Sequence, residues 1–156
     1  SILYSWRNDM ALCHWEEVPA ERQSIGDQGK GDEMPHFVLE YSDNILEEVD
    51  FKDLFKKLHT LLVDVGPFNL SDIKSRAIRH KEFLVANGQE SNAFVHLTLS
   101  IFKGRDLSIR QAVGEKLLAF LKGQFARSFE KLNCSYTAEI REMEKETYFK
   151  ATNGKL

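Results

Sequence analysis

The chain has 156 residues, of which 42% are hydrophobic and 29% charged, and a net charge of −3. This length and composition suit one domain of the ordinary soluble globular class. A slightly acidic chain does not favour nucleic acid or an anionic membrane as a partner. No run approaches the ~18 apolar residues of a membrane span, and the first residues lack the layout of a secretory signal. Two isolated cysteines, Cys13 and Cys134, fit a reducing cytoplasm better than a disulfide framework.

The composition changes at Met34-Pro35. Residues 24–33 (SIGDQGKGDE) contain three glycines and are typical of a linker. Residues 1–34 as a whole show no sustained hydrophobic period, whereas the sequence from Pro35 opens directly into a strand pattern. The sequence therefore predicts an N-terminal extension over 1–34 and a folded domain over 35–156.

The codons available to residues 30–34 (KGDEM) suggest an origin for the extension. They can read AAA-GGA-GAT-GAA-ATG, which places AAGGAG a few bases before ATG, as in a bacterial ribosome-binding site. The hypothesis is that Met34 is the natural start and that residues 1–33 are translated upstream sequence. The alternative is a genuine, flexible N-terminal arm, and the DNA sequence distinguishes the two.

The first half of the domain predicts a strand, a helix and a second strand. Apolar and polar residues alternate over 36–41, which indicates a strand. Apolar residues at i, i+3, i+4 and i+7 spacing over 51–62 indicate an amphipathic helix, with Asp50 as its N-cap. Gly66-Pro67 ends this helix, and the second strand runs near 72–80.

The second half repeats this order. Asn87-Gly88 marks a turn, and strict alternation over 93–101 predicts a third strand. Ser108-x-x-Gln111 has the form of a capping box that opens a long helix, with apolar residues continuing to Phe125. A fourth strand is predicted near 134–141.

Two successive βαβ units predict an α/β (α+β) fold, a two-layer sandwich of a four-stranded sheet with two helices on one face. The opposite face of the sheet also needs cover, because Phe94 on the third strand points towards it. We therefore expect self-association, for which closed symmetric rings are the usual solution.

The opening PHFVLEYSDNI resembles that of the 5-carboxymethyl-2-hydroxymuconate isomerase family, within the tautomerase superfamily. The likeness continues through IKSRA, AFVHLTLSIFKGR and SIRQAVGEKL and covers essentially all of 35–156. It implies a fold of βαβ repeats, a homotrimer with sites near subunit interfaces, and no metal or organic cofactor. It also implies an isomerase that moves a proton within an unsaturated carboxylate product of aromatic ring cleavage, with an N-terminal proline as base.

That resemblance makes Pro35 the candidate catalytic base. A free α-amine has a pKa of ~7.7–8.0, close to the optimum for a general base at neutral pH, and burial and nearby cations lower it further. Inside a peptide the same nitrogen is an amide without useful basicity, so we expect no activity while residues 1–34 remain attached. From the residues alone, a proline that merely begins a strand is the simpler interpretation.

A polycarboxylate substrate implies cations near the proline, and Arg105, Arg76 and Lys74 are the candidate substrate-binding residues. Lys74 and Arg76 are two apart on a strand and share a face, while Arg105 follows the third strand. Relatives often carry arginine at the position of Lys74, in an IRSR run that reads IKSR in this chain. Lysine is a point charge and cannot bind a carboxylate through two parallel bonds. Without the resemblance, solvated surface cations are the ordinary interpretation of all three.

The sequence predicts no metal site, since its five histidines show no metal-ligand spacing. Two alternatives to the isomerase remain open. One is a tautomerase that acts on a different, smaller keto-enol acid, which the lysine at position 74 favours. The other is a non-catalytic trimeric binding protein in which the extension permanently blocks Pro35.

Overall fold

A computed structural model describes residues 2–4, 15–17 and 33–156. Two short strands of the extension, β1 (Ile2–Tyr4) and β2 (Trp15–Glu17), pair antiparallel with each other. This pairing was not predicted from the sequence. The predicted linker over 24–33 lies outside the described residues except for Glu33.

The domain is built on a four-stranded mixed sheet. Its strands are β3 (His36–Ser42), β4 (Lys74–His80), β5 (Asn92–Phe102) and β6 (Asn133–Met143). They lie in the order β4-β3-β5-β6. The pairs β3–β4 and β5–β6 are parallel, and the central pair β3–β5 is antiparallel. Because a parallel pair needs a crossover connection, each half must carry helical structure between its strands.

Three helices provide these crossovers. Helix α1 (Phe51–Val65) joins β3 to β4, and helices α2 (Leu107–Gln124) and α3 (Ala126–Lys131) join β5 to β6. The predicted two-layer fold of two βαβ repeats is confirmed. The short helix α3 was not predicted.

The boundaries of α1 are as predicted. The Asp50 side chain accepts a hydrogen bond from the amide of Asp53 at 3.2 Å, which satisfies one of the free amides of the first turn. The helix ends at Val65, directly before Gly66-Pro67. The second strand begins at Lys74, slightly later than predicted, because residues 70–72 form a single 3-10 turn.

The predicted capping box at Ser108 is wrong. Helix α2 begins at Leu107, and its N-cap position is Asp106, two residues before the predicted cap. The Asp106 carbonyl accepts from the amides of Ile109 and Arg110 at 3.1 and 3.2 Å. Ser108 therefore lies inside the first turn and cannot serve as its cap.

The core lies between one face of the sheet and the helical layer. Inward-pointing residues of β3 and β5 pack against the apolar stripes of α1 and α2, as side chains two apart on a strand and three or four apart on a helix share a face. The buried cluster comprises Phe37, Leu39, Leu54, Leu58, Leu62, Phe68, Ile73, Val95, Leu97, Leu99, Ile101, Val113, Leu117, Leu121 and Phe125.

The opposite face of the sheet, here called the outer face, carries the alternate residues. On β3 these include His36 and Val38, which lie opposite Lys74 and Arg76 of β4 in the parallel register. Ile78, the next outer residue of β4, keeps 42% of its surface exposed.

No helix within the described ranges is long and apolar enough to cross a bilayer.

The leucines of the two main helices provide a test of this core. Leu58 on α1 is fully buried, whereas Leu107 at the start of α2 is 58% exposed. We expect Leu58→Ala to lower the free energy of unfolding by about 2–5 kcal/mol, through lost burial and a residual cavity. Leu107→Ala should change it by no more than about 0.5 kcal/mol. Urea denaturation of both variants measures the difference, and equal effects would contradict the described packing.

Candidate functional site

Pro35 lies directly before β3, at the end of an inner strand of the sheet. Its ring is fully buried, and its carbonyl accepts a hydrogen bond from the backbone amide of Lys74 at 3.1 Å. This bond continues the parallel pairing in which His36 lies opposite Lys74. The first cation-bearing residue of β4 is therefore held beside the proline by the backbone itself.

The nitrogen of Pro35 is acylated by Met34 in this chain. An amide nitrogen carries no basic lone pair, because the lone pair is delocalised into the carbonyl. Met34 is itself only 6% exposed. The residue preceding the proline therefore packs against the domain at this point.

Lys74 and Arg76 extend from the outer face of β4. Both side chains are largely exposed, and the Lys74 ammonium approaches the carbonyl of Asp72 at 3.4 Å. Both cations lie close enough to His36 to influence its ionisation. The predicted pair of cations thus forms a positive patch next to the first residues of β3.

Arg105 reaches the same end of the sheet from the helical side. It follows Gly104, whose φ of +122° favours glycine at that turn. The guanidinium carbon lies 4.3 Å from the centroid of the Phe68 ring, a stacking contact that suits arginine. One guanidinium nitrogen lies 3.1 Å from a carboxylate oxygen of Glu33, two residues before Pro35.

Two further contacts position Arg105. The Arg110 side chain donates to the Arg105 carbonyl at 3.2 Å and is itself paired with Glu142 at 3.2 Å. At Gly66, an added Cβ would lie 3.0 Å from the Phe68 ring and 3.8 Å from the guanidinium of Arg105. The absence of a side chain at Gly66 therefore leaves room for Phe68 beneath the arginine.

His36 occupies the outer face beside Pro35. Its Nε2 lies 2.7 Å from the Tyr148 hydroxyl, and Tyr148 also packs edge-on against Phe102. Burial lowers the pKa of His36 below its ordinary value, and the positive charges of Arg76 and Lys74 lower it further. The ring is therefore neutral at neutral pH.

The structure brings all four predicted site residues to one end of the sheet, on two sides of it. Lys74 and Arg76 lie on the outer face, and Arg105 lies on the helical side. Three further residues at this end of the sheet, Glu33, Phe68 and Tyr148, were not predicted from the sequence. Glu33 lies in a stretch that resembles a linker and Tyr148 follows the last strand, so no periodic pattern or motif could have identified either residue.

The described part of the chain contains other features that do not belong to this site. An open groove between α1 and α2 is lined by helix residues and includes none of the predicted site residues. No group of three or more histidine, cysteine, aspartate or glutamate side chains within the described ranges is arranged to hold a metal ion.

Comparisons with known proteins by family model and by sequence identity point to the same family. The family model described as 5-carboxymethyl-2-hydroxymuconate isomerase matches residues 35–155. The chain is 41% identical over 120 residues to the 5-carboxymethyl-2-hydroxymuconate Delta-isomerase of Escherichia coli, a match that covers 77% of this chain and 95% of the relative.

Solved structures agree with the sequence match. A 5-carboxymethyl-2-hydroxymuconate isomerase from Deinococcus radiodurans R1 superposes with a TM-score of 0.70 at 36% identity, covering 77% of this chain and 90% of that one. A fused 4-OT described as a symmetric trimer shares the fold at 13% identity, with a TM-score of 0.59 and coverage of 76% and 93%. The chain belongs to the 5-carboxymethyl-2-hydroxymuconate isomerase family of the tautomerase superfamily, and is an isomerase by that membership.

Proposed function

We propose that this protein moves a proton within an unsaturated carboxylate of the 5-carboxymethyl-2-hydroxymuconate type, a product of aromatic ring cleavage. Pro35 is the base, in a chain that begins at that residue. The observation that carries the proposal is the start of the family match at Pro35. We place the reaction in the cytoplasm, consistent with the isolated cysteines of the sequence.

A 1,3-proton shift needs one group that removes a proton from one carbon and returns it to another. A secondary amine at the start of β3 can do both, because its neutral form accepts the proton and its charged form donates it. The buried ring and the cations of Lys74 and Arg76 both disfavour the charged form, so they lower the pKa of the free amine. The proline ring also fixes the direction of the nitrogen.

The cations supply the second half of the mechanism. Removal of a proton next to a carbonyl produces a dienolate, and fixed positive charge stabilises it as it forms. Arg105 can bind one carboxylate with both arms of its guanidinium, and its stacking on Phe68 holds the planar group in place. Lys74 and Arg76 attract a second carboxylate towards the outer face.

We further propose that the domain works as a homotrimer. Its outer face is uncovered by any described helix, and Val38 and Ile78 contribute apolar surface to it. A trimer in which the outer faces meet would cover this surface. It would also let the Lys74 and Arg76 of one subunit serve a proline of another. The trimeric 4-OT that shares this fold supports the idea.

Lysine at position 74 favours one alternative. A point charge cannot replace the two parallel bonds of an arginine, so the site suits a smaller keto-enol acid with fewer carboxylates. A tautomerase acting on such an acid would use Pro35 in the same way. A panel of one- and two-carboxylate substrates separates the two functions.

The proposal predicts that the chain beginning at Pro35, after loss of the initiator Met34, is active. Pro35→Ala should lower kcat/KM about 10²-fold or more, since positioned acid–base groups contribute 10²–10⁴. A matched control retains Pro35 and adds a single alanine before it, which acylates the nitrogen and changes little else. Steady-state assays should find both variants impaired, and full activity in either would refute the base assignment.

The native protein distinguishes the enzyme from a non-catalytic binding protein. If Pro35 is the base, intact mass spectrometry of the protein isolated from its own cells should find a chain that begins at Pro35. If the mass still includes residues 1–33, the nitrogen is blocked in the cell, and the trimeric binding protein becomes the better account.

The electrostatics of the site predict the pH response of His36. Its folded pKa lies below the ordinary 6.5, through burial first and then Arg76 and Lys74. The unfolded chain therefore binds more protons, so this histidine's contribution to stability is lost as pH falls below about 6.5.

An NMR titration should find the midpoint of His36 below 6.5. Arg76→Gln should raise that midpoint, whereas Arg79→Gln, on the other side of β4, should leave it nearly unchanged. Equal shifts would contradict the described patch.

A further inference from the structure

The contact between Glu33 and Arg105 is a partly buried ion pair, more shielded than a surface pair among the described residues. The two side chains are 26% and 14% exposed. The surface pair of Lys57 and Asp53 leaves its partners 54% and 57% exposed. Because the Coulomb attraction between two charges grows as water is excluded from around them, the attraction between Glu33 and Arg105 is stronger than that in the surface pair.

The pairing uses only part of what each group offers. Glu33 Oε2 and Arg105 Nε are both buried and have no hydrogen-bond partner among the described residues. A guanidinium binds a carboxylate best through two parallel bonds. Glu33 is therefore an imperfect ligand, one that a free carboxylate of better geometry can displace.

The position of Glu33 is set by the chain. Its Cα lies two peptide units from that of Pro35, which limits their separation to about 7 Å. Met34 between them is only 6% exposed. The segment 33–35 is therefore held by the burial of Met34 as well as by the ion pair of Glu33. A carboxylate is therefore held at Arg105 within reach of the proline, where the proposed function places a carboxylate of the substrate.

We propose that Glu33 is an internal ligand of Arg105, so that the segment before the proline competes with carboxylate ligands for the site. This inference rests on the proposed function for the role of Arg105. The extension then blocks the site twice, because it acylates the nitrogen and also occupies the arginine. Any cleavage that exposes the Pro35 amine frees Arg105 in the same step.

With an internal ligand, the apparent affinity equals the intrinsic affinity multiplied by the fraction of molecules in which the site is free. This can be measured on the full 156-residue chain with cis,cis-muconate, a conjugated dicarboxylate, by isothermal titration calorimetry. Glu33→Gln keeps the shape of the side chain and removes its charge. If Glu33 occupies Arg105 in about nine molecules of ten, this variant should bind muconate about tenfold more tightly than the unchanged chain.

Two further variants assign the effect. Adding Arg105→Gln to Glu33→Gln should abolish the gain, since the ligand then lacks its partner. Glu130→Gln makes the same charge change at an exposed position of α3, at the far end of the sheet from Pro35, and should leave the affinity unchanged. Equal affinity of the Glu33→Gln and unchanged chains, absence of binding by both, or a gain that survives loss of Arg105 would each overturn the proposal.

A second measurement needs no ligand. Phenylglyoxal modifies accessible guanidinium groups, and peptide mass spectrometry can follow Arg105 with Arg127 as an internal reference. Glu33→Gln should accelerate the modification of Arg105 several-fold and leave Arg127 unaffected, and equal rates would count against the internal ligand. All these chains keep the nitrogen acylated, so isomerase activity does not enter the result. An inert chain beginning at Pro35 would refute the proposed function and leave these outcomes intact.

Discussion

The parallel pairing of β3 with β4 is the constraint on which the rest of the molecule depends. The bond from the Lys74 amide to the Pro35 carbonyl extends that pairing to the first residue of the domain. It fixes the proline at the start of an inner strand and places two cations of β4 beside it. A parallel pair cannot be closed by a hairpin, so the same constraint requires α1 and the buried leucines that attach it to the sheet. Packing and chemistry thus depend on one register.

The candidate site combines groups from both sides of the sheet. Arg105 comes from the loop between β5 and α2 and is held by the Phe68 ring and by Arg110. Lys74 and Arg76 come from the outer face. Under the proposed mechanism, these charges act on a nitrogen whose basicity depends on a single peptide bond. With Met34 attached the nitrogen is an amide; without it, the same atom is an amine near its optimal pKa.

The strands, the two main helices and much of the core could be predicted from the sequence because they follow periodic patterns. The alternation at Phe37 and Leu39 and the helical spacing through Leu58 reflect burial, which is the same physical quantity that defines the core. The capping box at Ser108 was wrong because a cap depends on where the preceding chain turns, and Gly104 and Asp106 determine that locally. The contacts of Glu33 and Tyr148 join segments far apart in sequence or outside any element. No local pattern specifies them, and only the folded chain reveals them.

Under the proposed mechanism, the nitrogen of Pro35 is a titrating base once the preceding residues are gone. The most direct test is an NMR titration of 15N-labelled proline in the chain that begins at Pro35, beside its pH–rate profile. We expect the Pro35 nitrogen to titrate with a pKa below the ~7.7–8.0 of an ordinary α-amine, at the same midpoint as the rise in kcat/KM. A nitrogen that titrates at the ordinary value or above, or a rate that does not follow its titration, would contradict the account.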